Sequence, residues 1–169
     1  MWHNDTYPAI APTRPELSIY YWCEIASGLD PWDVLILGAA FLATPSSIAE
    51  SSTESWWQSF ETNVKGTMMP AKCVLPRASP GAAIIAVAAA TLLPLTMVPG
   101  LSAYLSSKLA LIKMMEYLAA ENPSLFVATL HPGMVETEIF HKSGGQADQL
   151  PMDTVNLPAE FTVWPFPYL

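Results

Sequence analysis

Tyr104 and Lys108 stand four residues apart in Tyr104-Leu105-Ser106-Ser107-Lys108, a spacing that puts both on one face of a helix. A phenol beside an ammonium can exchange protons near neutral pH. The cation favours the phenolate and is expected to pull Tyr104 below its reference pKa of about 10. That makes Tyr104 a candidate general acid/base. Such a pair is also an ordinary feature of helix surfaces, so its meaning rests on what surrounds it.

Composition limits the competing chemistries. The 169 residues carry a net charge of −8 with only 7 Lys and Arg, and these form no cluster, which excludes a nucleic-acid partner. Cys23 and Cys73 are too few and too far apart for a disulfide framework or a zinc site. They are expected to be reduced thiols in a cytoplasmic protein that holds no metal. The N-terminus shows neither a basic n-region nor an apolar h-region, so no signal peptide is expected.

Gly81 to Leu101 is free of charge and approaches the roughly 20 residues of a membrane span. Pro94 and Pro99 would interrupt any helix there, and Ile84-Ile85-Ala86-Val87 is rich in β-branched residues. A buried strand followed by a Pro-rich loop is the better reading. Hydrophobic residues make up 51% of the chain and charged ones 13%, about half the usual share of roughly 25%. One packed domain is expected, as a homo-oligomer or dependent on a partner.

The elements that must position Tyr104 and Lys108 follow from periodicity. Residues 1–15, with Pro8, Pro12 and Pro15, read as an irregular arm, and Glu16 to Ala26 as a short helix ended at Gly28. Asp33 to Leu37 is an apolar run predicted to be a strand buried on both faces. Ser51 and Glu54 have capping-box spacing and lead into a helix running to near Val74. Ala82 to Ala88 reads as a second strand, Ser102 to Glu121 as the helix bearing the Tyr–Lys pair, and Leu125 to Leu130 as a third strand. The order β-α-β-α-β implies parallel strands with right-handed crossovers. Residues 141–158 read as flexible, and the aromatic tail from Trp164 continues no element.

Set in this order, the motifs resemble the short-chain dehydrogenase/reductase family. Tyr104-x-x-x-Lys108 is followed, after the next strand, by Pro132-Gly133-Met134-Val135-Glu136-Thr137, similar to that family's Pro-Gly-x-Val-x-Thr. Thr62-Asn63-Val64-Lys65-Gly66 resembles its helix motif with a proton-relay asparagine, and Leu37-Gly38-Ala39-Ala40 stands where it has Asn-Ala-Gly. The resemblance covers about residues 24 to 164. It implies an α/β, partial Rossmann-like parallel sheet and an oxidoreductase acting on a small carbonyl or alcohol with NAD(P)(H), NADP rather than NAD. Tyr104 would exchange the proton, and Lys108 would hold the nicotinamide ribose. Asn63 would keep a relay water, and Val135 and Thr137 would contact the carboxamide.

Three departures qualify that activity. Ala88-Ala89 stands where the family has a serine that polarises the substrate carbonyl, with Thr91 as a nearby stand-in. Gly38 and Ala40 replace the asparagine and glycine of the motif after the first strand, and Ala40 adds a methyl where the cofactor needs space. No glycine-rich phosphate loop occurs anywhere. The expectation is therefore a chain truncated at both ends, lacking the first βαβ units and the final strand and impaired as an enzyme. The alternative is a non-catalytic remnant acting as an interaction protein. Its expected parts are an arm and short helix over 1–30, the catalytic half over 31–140, and a substrate-covering segment and tail over 141–169.

Overall fold

The computed structural model describes residues 23–163, apart from 25, 90, 92, 93, 95 and 97. Three parallel strands form one sheet in the order β1-β2-β3: β1 at Trp32–Leu37, β2 at Ala78–Val87 and β3 at Phe126–Leu130. Between β1 and β2 run α1 (Thr53–Phe60), a π-helical turn (Glu61–Lys65) and α2 (Gly66–Val74), which is the helix expected to reach Val74. Between β2 and β3 lies α3, Ser102–Glu121. Beyond β3 come α4 (Glu138–Lys142) and α5 (Asn156–Val163). Strand β2 takes the first part of the stretch 81–101, and among the described residues no helix is long and apolar enough to cross a membrane.

Local chemistry explains the boundaries. Ser52 caps α1, its hydroxyl accepting from the Ser55 N–H at 3.1 Å, one residue later than the Ser51 box predicts. Ser51 lies in the preceding turn instead, where its hydroxyl donates to the Ile48 carbonyl. Pro70 sits inside α2 and has no N–H for the ladder, and the wide π turn falls just before that helix.

The register puts Leu35, Leu37, Ile84, Ala86 and Val127 on one face, where they pack on Leu111 and Met115 of α3. Ile84 and Ala86 are completely buried there. Strand β1 departs from the expectation of burial on both faces. It is a sheet edge, and Val34 and Ile36, on the side away from α3, are exposed. A register irregularity between Trp32 and Val34 lets Trp32 join the α3 side, where its indole donates to the Val74 carbonyl at 2.8 Å.

Two further expectations are corrected. Cys23 and Cys73 are joined by a disulfide, with Cα atoms 4.7 Å apart, rather than being reduced thiols. Fifty residues of sequence separate them, but the end of α2 brings Cys73 beside Cys23, which is helical together with residues 24, 26 and 27. A disulfide belongs to oxidising surroundings, so the thiols no longer support a cytoplasmic location. The part of the expected Glu16–Ala26 helix before Cys23 and the tail from Trp164 lie outside the described residues. Residues 141–158 hold ordered elements in place of a flexible loop, because Asp153 ties them to the turn after β3. Its N–H donates to the Met134 carbonyl at 2.7 Å and its carboxylate accepts from the Met134 N–H at 3.0 Å.

Candidate active site

The C-terminal ends of the three parallel strands and the first turns of α3 enclose a cleft of about 380 Å³. Crevices at this end are where open parallel sheets bind ligands. Ala88 and Ala89 follow β2 into it, Tyr104 and Lys108 face it from α3, and Val135 and Thr137 rim it from the far side. Val155 and Pro158, in the segment expected to cover the substrate, also line it.

Lys108 is the largest fully buried side chain, 1% exposed, and its ammonium donates to the Val87 carbonyl at 2.7 Å. Burial penalises the charged form and lowers its pKa to about 8. Its Nζ lies 5.8 Å from the centre of the Tyr104 ring. Tyr104 does not follow the expected direction, because burial raises the phenol above its usual value near 10. The reason is geometric: the ammonium turns to the end of β2, and desolvation of the phenolate prevails.

Asn63 is wholly buried in the π turn and uses its amide fully as a donor. Its Nδ2 donates to the Phe41 carbonyl at 2.9 Å and the Ser107 hydroxyl at 2.8 Å, while Oδ1 accepts from the Phe41 N–H at 2.7 Å. Asn63 thus locks the loop after β1 to the residue preceding Lys108. Thr137 caps α4, its hydroxyl accepting from the Phe140 N–H at 3.3 Å, and keeps its own proton for donation.

The groups of a nicotinamide site fit this cleft in part. The Lys108 ammonium has donors beyond its one carbonyl partner, and the space at Gly38 is open, the nearest atom to an added Cβ being Val87 Cγ2 at 4.0 Å. Ala40 also lines the cleft. Among the described residues, Ala89 brings only a methyl to the cleft and Thr91 is not part of its lining, which includes Thr137 and Ser143.

Several residues that shape the site carry no recognisable motif. Ser107 joins Asn63 to α3, and its hydroxyl donates to the Tyr104 carbonyl at 2.7 Å. Asp153 packs over Gly133, whose φ of +79° and contact with that carboxylate leave no room for a Cβ. The only signal for Ser107 was its place beside Lys108. Asp153, 19 residues beyond Met134, gave none.

A family model for short chain dehydrogenases matches residues 20–148. The chain is 30% identical over 157 residues to "Short chain dehydrogenase andI" of Emericella variicolor, covering 91% of this chain and 54% of that one. It spans about half the length of the curated relatives it matches. Among solved structures, the oxidoreductase yciK from E. coli superimposes with a TM-score of 0.75 at 21% identity, over 90% of this chain and 63% of that one. A short chain dehydrogenase from Burkholderia cenocepacia J2315, in complex with NADP, gives 0.72 at 19%, over 90% and 65%. These structural likenesses bear on the Rossmann-like fold alone.

Proposed function

The chain belongs to the short-chain dehydrogenase family, and we propose that it carries the proton-transfer half of an NAD(P)H-dependent reductase of small carbonyl compounds. The observation that supports this is the convergence of Tyr104 and Lys108 on one cleft rimmed by Val135 and Thr137. A reduced nicotinamide, when bound, supplies hydride to the carbonyl carbon. The residues of this chain do the rest.

Tyr104 would donate the proton to the carbonyl oxygen. Burial keeps the phenol protonated at neutral pH, which suits the reductive direction. Lys108 would hold the ribose hydroxyls with the donors not used on Val87. Asn63 would fix the position of Lys108 through Ser107 and keep the relay water on Oδ1. The hydroxyl of Thr137 and the backbone at Val135 would take the carboxamide. For the nucleotide we propose NADP rather than NAD, the one bound in the Burkholderia cenocepacia structure of similar fold.

Ala89 sets the expected rate. A missing oxyanion donor costs about 10²–10³ in kcat, so turnover should be slow. The test is NADPH oxidation with a small activated diketone, comparing the chain with Tyr104→Phe. The variant should lose about 10²–10⁴ of the rate while staying folded. Equal rates would overturn the assignment of Tyr104.

A further inference from the structure

A second pocket, of about 270 Å³, lies on the other side of Tyr104, between the loop after β1 and the start of α3. Tyr104 and Leu101 line both spaces, which makes the two pockets neighbours across these residues. The two spaces differ in chemistry. The cleft is walled mainly by aliphatic side chains and backbone, whereas the residues lining the second pocket include Ser46, Ser51, Ser55, Ser102 and Glu50. No Lys, Arg or His lines it.

The walls of this pocket are fixed. The Ser46 N–H donates to the Gly100 carbonyl at 3.1 Å, joining the two loops that form its sides. Gly100 has a φ of +75°, and an added Cβ would sit 2.8 Å from the Ser46 nitrogen, so only glycine permits this closure. The Trp56 indole donates to the Ser102 hydroxyl at 3.1 Å, which leaves that hydroxyl's proton free to point elsewhere. Glu50 is held by the Ser47 hydroxyl at 2.9 Å through one oxygen only.

We propose that this pocket selects the substrate, taking an uncharged, polyhydroxylated arm attached to the carbonyl that Tyr104 protonates. Hydroxyls both donate and accept, so they match the hydroxyls of a polyol or sugar-like chain. A carboxylate with no cation in the lining repels phosphates and acids, which removes anionic carbonyl compounds from the class. The proposal rests on the reading of Tyr104 as proton donor, but its test does not require turnover.

The test is a titration of the full ¹⁵N-labelled chain, following the Trp56 indole N–H signal, assigned through Trp56→Phe. The probes are meso-erythritol and, as a charged probe of similar reach, glycerol 3-phosphate. Erythritol should move the signal saturably in the millimolar range, with glycerol 3-phosphate at least about tenfold weaker. Ser55→Leu, which fills the pocket, should abolish the response while the rest of the spectrum stays folded. Ser46→Val does the same from the opposite wall if Ser55→Leu does not fold. A signal that erythritol does not move, an undiminished response in the folded variant, or equal binding of the phosphate would each overturn the proposal. Reduction of a simple diketone without any erythritol response would sink the pocket and leave Tyr104 standing. The converse result would do the opposite.

Discussion

On one face of the sheet Ile84 and Ala86 are fully buried beneath Leu111 and Met115; on the other, Val34 and Ile36 are 41% and 53% exposed. Both faces are apolar, and the central strand is shielded on both, with Ala83 and Ile85 at 0% and 3%. The edge strands differ. Leu35, Leu37 and Val127 lean on α3, whereas Phe126, in register with Ala83 and Val34, is 37% exposed. Parallel sheets are ordinarily covered on both sides. The side bearing α3 is finished, so Tyr104 and Lys108 are held by a real core. The opposite side presents apolar area that the described residues leave open.

The largest effect should come from the finished side. Leu111→Ala removes a side chain that is 1% exposed between α3 and the sheet, and should cost about 2–5 kcal/mol by urea denaturation. A loss under about 1 kcal/mol would mean that α3 does not pack as described. The smallest effect should come from the other side. Ile36→Thr keeps the β-branch and should change stability in dilute solution by no more than about 0.5 kcal/mol. We propose that this open face is where the chain associates with a further copy or a partner. A cost of 2 kcal/mol or more for Ile36→Thr, falling on dilution, would show the face covered.

How much was legible in the sequence follows the same division. The helix Ser102–Glu121 was readable end to end, since it starts after a Gly-containing loop and stops at Asn122-Pro123. Strand β3 and the helix reaching Val74 were also readable from apolar runs and their punctuation. Strand β2 begins four residues before the expected Ala82, because Ala78-Ser79-Pro80-Gly81 looks like a turn locally and is a strand only through its neighbours. The burial of β1 was misjudged for a tertiary reason. An apolar run signals burial, but which faces are covered depends on elements elsewhere. The positions of Tyr104, Lys108, Val135 and Thr137 around one cleft followed from motif order. The direction of the tyrosine shift did not. Spacing on a helix puts the cation near, but only the fold aims it at the Val87 carbonyl. The Cys23–Cys73 bond and the Asp153 clasp are likewise contacts between distant segments, with no local pattern to reveal them.

This chain, by itself, buries Lys108 beside Tyr104 in a preassembled site. Titration of Lys108 in ¹³C-lysine-labelled protein tests it most directly, with the signal assigned by Lys108→Met. The expected midpoint is about 8 against the ordinary 10.5. The unfolded chain keeps this proton up to about 10.5 and the folded chain loses it from about 8. The unfolded state therefore binds more protons across that window, and the contribution of Lys108 to stability must rise with pH through it. Loss of the Tyr104 proton opposes this only above about 10, since its folded value is raised. A Lys108 midpoint near 10.5, with no rise in stability between pH 8 and 10, would place the ammonium in solvent and contradict the assembled site.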